Sequence, residues 1–142
     1  MRYIIAIAVC AAASMLMAAE MATYTPHAKV EALFAGKGGP IASGPGFSVA
    51  ANKRTGPGKV EIHEKETDVF RIIDGEATLV TGGKAIGAKE TRPGQLLGDS
   101  IEGGTTYHLS AGDVVTVPAG MPHWFKEVPN HIDYYTVKSI KP

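Results

Sequence analysis

Apolar positions follow three rhythms along the chain. Residues 4–17 are almost wholly apolar. Val30, Leu33 and Phe34 then recur at three and four residues, the spacing of one helix face. Thr25 and Pro26 predict the helix start, as cap and first helical residue, and Gly36 predicts its end. Residues 36–46 contain five Gly and two Pro and read as a loop. From Phe47 the period becomes two: Phe47, Val49 and Ala51 alternate, as do Val60 and Ile62 against Glu61 and His63. Residues 68–73 and 77–81 predict two strands, and Asp74-Gly75 between them predicts a hairpin, because Gly takes positive φ at little cost. Further strands are predicted over residues 114–117, 124–126 and 134–137. Residues 83–106 have a weak pattern with Pro93, Gly94, Gly98, Gly103 and Gly104, which predicts a long loop, either a functional rim or a solvated insertion. Many short strands with almost no helix predict an all-β sandwich or small barrel.

The opening segment reads differently. Arg2 precedes the apolar run, and Ala18, Ala19 and Glu20 follow it, the pattern of a secretory signal peptide. The run is short for a spanning helix, which needs about 20 apolar residues. The expected organisation is therefore a signal peptide over 1–19, a helix and loop over 20–46, and a β-barrel over 47–142, in an exported protein (periplasmic or secreted). Cleavage would remove Cys10, the only cysteine, so any metal must be held by imidazole and oxygen.

Composition narrows the function classes. The chain has 142 residues, room for one domain. Fourteen basic residues balance fourteen acidic ones, which argues against nucleic acid or an anionic membrane as main partner. Open sheet edges lead us to expect a homodimer.

The candidate chemistry lies on the strands. Glu61 and His63 stand two apart and so project from one face; Asp68 begins the next strand and His123 belongs to a third. Gly112, Pro118, Gly120 and His123 have the spacing G-x5-P-x-G-x2-H, whose first three positions alone arise by chance in roughly one window in 4,000. This resembles the second motif of the cupin superfamily at every fixed position. The first cupin motif, with two His, a Glu and a Gly, is present in altered form. Gly75 matches, Asp68 stands at the Glu, His63 at the second His and Glu61 at the first His. Glu127 stands where the second motif has Asn.

The resemblance covers about residues 47–138 and implies a cupin-type double-stranded β-helix, or jelly-roll barrel, with one short N-terminal helix. It further implies one divalent metal per chain, held by Glu61, His63, Asp68 and His123. The oxygen-rich donor set suits Fe(II) or Mn(II), with Zn(II) or Ni(II) as further candidates. Phe125 shares the strand parity of His123, and with Phe70 is assigned to the pocket wall. One of the neighbours Tyr134 and Tyr135 must face inward, and Tyr135 is placed there. His27 and His131 lie off the motifs and are expected at the surface, and His108, which alternates on a strand with Thr106 and could reach the cavity, is left out of the site. A duller reading exists for each ligand: buried histidines bonded to backbone, Asp68 paired with Lys65 or Arg71, Glu61 on an exposed face. The resemblance implies an exported mononuclear metal enzyme acting on a small organic substrate by dioxygenase, lyase or isomerase chemistry. The rivals are a non-catalytic cupin that binds metal or a small molecule, and a metal-free barrel.

Overall fold

The computed structural model describes residues 21–142; the signal segment expected over 1–19 lies outside them. Helix α1 (His27–Ala35) is followed by β1 (Gly38–Gly44), β2 (Phe47–Arg54), β3 (Val60–His63) and β4 (Glu66–Thr81). Four short strands come next: β5 (Lys84–Ile86), β6 (Lys89–Arg92), β7 (Gln95–Gly98) and β8 (Ser100–Glu102). The chain ends with β9 (Thr105–Ser110), β10 (Val114–Val117), β11 (His123–Glu127) and β12 (Ile132–Ile140). The pairings are antiparallel, and the architecture is an all-β jelly-roll with one short helix.

Strand β4 joins the two layers. Its first half pairs with β12 on one side and β10 on the other. Its second half pairs with β9 and β11. The first layer runs β1-β2-β12-β4, and the second continues β4-β11-β3-β7-β6. The hairpin expected at Asp74-Gly75 is thus corrected to a bend within one continuous strand. Gly75 has φ +77°, and a Cβ there would collide with the carbonyl of His131, where the chain entering β12 comes alongside β4. Positive φ serves a close backbone approach here rather than a reversal.

Three other expectations are corrected. Within residues 36–46, β1 is a strand at the edge of its layer; Pro40 is tolerated there because an edge residue need not donate to a further neighbour, and the register shifts by a bulge before Ala42. The weak stretch 83–106 holds β5 to β8, whose three or four residues each are too short to show a period. The helix starts one residue late, with Pro26 at its cap, while the Thr25 hydroxyl donates to the carbonyl of Ile41 at 3.4 Å.

The core fills one end of the shell. Phe70, Ile72, Leu79, Leu109, Val117, Phe125 and Ile132 are buried together. Helix α1 covers the outside of the first layer: Phe34 meets Tyr135 edge-on at 5.2 Å, and Lys53 Nζ donates to the Phe34 carbonyl at 3.0 Å. That contact satisfies a carbonyl left open at the helix end.

Candidate metal centre

Alternation along five strands points one set of side chains into a cavity of about 220 Å³. Strand β2 contributes Ser48, Ala50, Asn52 and Arg54; β12 contributes Tyr134, Thr136 and Lys138. Strand β3 contributes Glu61 and His63, β4 contributes Asp68 and Phe70, and β11 contributes His123 and Phe125. All four expected ligands therefore face one space. His123 is the cross-strand partner of Glu61, which sets their side chains side by side.

The donor atoms converge. Those of Glu61, His63 and His123 lie within 4.8 Å of one another, and those of His63, Glu66 and Asp68 form a second such group. His63 Nε2 is 3.4 Å from Glu61 Oε2 and 3.4 Å from Asp68 Oδ2. His123 Nε2 is 3.7 Å from the same Asp68 oxygen, and the two imidazole centroids are 5.2 Å apart. The outer nitrogens are occupied: His63 Nδ1 donates to Gln95 Oε1, and His123 Nδ1 lies 3.4 Å from the Met121 carbonyl. Both Nε2 atoms are thereby turned toward the cavity, the arrangement metal-binding histidines use.

Each carboxylate also has a cation beside it. Arg54 Nη2 donates to Glu61 Oε1 at 2.8 Å, and Arg54 Nε donates to the Tyr134 hydroxyl at 2.9 Å. Lys138 Nζ donates to Asp68 Oδ1 at 2.7 Å and lies 2.8 Å from Glu66 Oε2, so Asp68 pairs with Lys138 rather than with Lys65 or Arg71. Burial alone would raise the Glu61 pKa, but the bond from His63 and the charge of Arg54 outweigh it and bring it to about 2. Burial would likewise lower His63, yet its bond to Glu61 and the nearby Asp68 leave it raised. His123 is lowered, because burial dominates its neighbours' charges. Burial raises Tyr134, which keeps its proton at neutral pH.

Of the expected wall residues, Phe70 and Phe125 line the cavity and Tyr135 does not. Tyr135 points outward onto Phe34. Tyr134 takes the inward place, stacked on Phe125 at 5.1 Å and edge-on to Phe70 at 5.5 Å. Tyr134 shares the inward parity of Thr136 and Lys138 along β12, whose register against β2 is unbroken. His108 lies on an exposed face beside Thr78, away from this cavity, and His27 and His131 are at or near the surface.

Sequence reasoning missed Arg54, Arg92, Gln95, Thr136 and Lys138. The available signal was the parity of Ser48, Ala50, Asn52 and Arg54, a small and polar row that lines the hollow while Val49 faces out.

No family model and no curated protein matches the sequence. Solved structures do match the fold. The chain is similar to the cupin domain of Cnp3 from Schizosaccharomyces pombe, at 13% identity and TM-score 0.54 over 73% of this chain and 60% of that one. It thus spans less than two thirds of that structure. It is similar to KdgF from Halomonas sp., at 15% identity and TM-score 0.53 over 74% of this chain and 80% of that one. A protein from Bacillus halodurans, BH2720, aligns at 13% identity and TM-score 0.56 over 75% of this chain and 71% of that one. The jelly-roll and these neighbours together show that the chain has a cupin-type fold.

Proposed function

We propose that this cupin holds one divalent metal and acts on a small organic molecule in the cavity. The observation that carries the reading is the convergence of Glu61, His63 and His123 donor atoms within 4.8 Å on the cavity wall. Their chemistry fits a divalent cation. Glu61 is ionised and burial favours the neutral form of His123, while His63 Nε2, bonded to Glu61 in the metal-free chain, would give up its proton on ligation. Two imidazoles and a carboxylate favour Fe(II) or Mn(II), with Zn(II) or Ni(II) also suited. Asp68 stands beside the set as a fourth donor, reached once its hold on Lys138 loosens. When bound, such a metal supplies a Lewis acid that polarises a substrate oxygen.

The chain's own groups do the rest. The Tyr134 oxygen accepts from Arg54, which leaves its proton directed to a cavity occupant. Phe70 and Phe125 give the occupant an apolar wall and keep water from one side. The cavity of about 220 Å³ is below the roughly 300–1,000 Å³ typical of drug-sized sites, which favours a small substrate. The apolar run over residues 4–17 supports export as the setting. The open edges of β1 and β6 support a homodimer built by strand addition.

A second reading has its own observation. Glu61 and Asp68 are each already neutralised by a cation, as expected of a binding cupin that needs no metal. Elemental analysis of tag-free protein separates the two. About one metal per chain, lost in the His63→Ala plus His123→Ala variant, supports the metal site. Equal metal content in both proteins removes it. Turnover of enols, catechols and β-diketones, followed by oxygen uptake and product analysis, then separates enzyme from binder.

A further inference from the structure

We propose that the substrate carries a carboxylate and that Arg92, in the stretch expected to be a loop, is its anchor; the inference rests on the small-substrate reading of the cavity. Arg92 lines the cavity from β6, outside both sequence motifs. It ends a row of cross-strand partners: His63 on β3 pairs with Gln95 on β7, and Gln95 pairs with Arg92 on β6. Partners in register project from the same face, so Arg92 stands two strand spacings from His63, about 10 Å between backbones. A long side chain from that place overhangs the mouth, while the metal-side donors lie beneath it.

The hairpin fixes this position. A bulge between Glu90 and Arg92 shifts the register, a device that re-aims a side chain. The turn at Pro93-Gly94 is tied down on both sides: Gly94 N donates to Glu90 Oε1 at 2.9 Å, and Glu64 N donates to the Gly94 carbonyl at 2.9 Å. Arg92 is therefore held on a pinned ribbon, not on a free loop.

Charge selects the occupant. Arg54 and Lys138 spend their charge on Glu61, Asp68 and Glu66. Among the described residues Arg92 makes no ion pair, which leaves one cavity guanidinium with its donors open. A guanidinium matches a carboxylate with two parallel bonds. The three cations around the cavity equal the three carboxylates, so a divalent cation would leave a positive excess that an anionic substrate offsets.

Calorimetric titration with pyruvate and malonate, beside their neutral amides pyruvamide and malonamide, tests this, with metal content measured on every sample. The unmodified protein is expected to bind the carboxylates and not the amides. Arg92→Gln should weaken carboxylate binding by at least about tenfold at unchanged metal content and thermal midpoint. Arg92→Lys, which keeps the charge and loses the fork, should fall between. Amides that bind as tightly as the acids, no carboxylate binding by the unmodified protein, or unchanged affinity in Arg92→Gln would each overturn the proposal. Protein that carries no metal as purified and still loses carboxylate binding in Arg92→Gln would leave the anchor standing and remove the metal reading instead.

Discussion

Replacing Glu61 by Gln in metal-stripped protein probes the charge balance of the cavity most directly. Burial works against the ionised carboxylate, yet the bond from His63 and the charge of Arg54 carry it from the usual 4.5 to about 2. At about 1.4 kcal/mol per pKa unit, that depression is worth roughly 3 kcal/mol of folding free energy. The side chain is 28% exposed, so solvent screens it only in part. A depressed carboxylate stabilises the fold above its unfolded pKa and loses that contribution as pH falls through its folded value. Urea unfolding in the presence of a chelator should therefore show Glu61→Gln less stable than the unmodified protein by roughly 3 kcal/mol near pH 6. The difference should shrink as pH falls from 4.5 toward 2. The imidazole of His63, raised in part by its bond to Glu61, should titrate at lower pH in the variant, as read by its ring-proton resonances. A stability gap that stays constant with pH, or an unmoved His63, refutes the account.

Two further tests address the frame around the cavity. Gly75 and Gly82 share positive φ, +77° and +72°, but only Gly75 has a carbonyl in the way of a Cβ. Gly82→Ala should cost the left-handed penalty alone, about 1–2 kcal/mol, and Gly75→Ala clearly more, as measured by urea midpoints; equal losses would show that the chain entering β12 does not approach β4 so closely. Tyr134→Phe keeps the ring stack and leaves Arg54 Nε unpartnered beside an apolar wall. It should lower stability by about 1–3 kcal/mol in thermal unfolding, and an unchanged midpoint would mean that the Arg54 bond contributes nothing.

Much of the site was legible because its signals are local. Glu61 and His63 share a face through strand geometry alone, and the Gly-Pro-Gly spacing before His123 marks the turn into β11. Arg54 and Lys138 left no such trace. Arg54 meets Tyr134 across 80 positions of sequence, and Lys138 meets Asp68 across 70. Tyr135 was misplaced because both faces of β12 are covered, one by the cavity wall and the other by α1, so an aromatic fits either parity. The Asp74-Gly75 signal was sound as local chemistry and wrong as topology: a glycine at positive φ permits a reversal or a close approach of a neighbouring strand, and only the position of the chain entering β12 decides which.

The usual rule that apolar parity faces inward fails on β2 and β12 for a physical reason. A shell that encloses a polar cavity must turn small and polar residues inward where the hollow lies, and apolar ones inward only where the core fills it. Thr136 and Asn52 show this, bonded to each other at 2.8 Å across the two strands, while Val137 is 40% exposed. Strand β4 has to meet both demands along one length. Asp68, Phe70 and Ile72 point inward before the bend, and Ala77 and Leu79 after it, so the parity changes between them. The bulge at Ile73 and the bend at Gly75 absorb that change, which leaves Ile73 itself 41% exposed. Without it, the second half of β4 would turn Thr78 and Val80 inward, and Leu79 could not pack below Phe125. The same irregularity that made the sequence read as a hairpin is thus what allows one strand to present Asp68 to the cavity and still close the core beneath it.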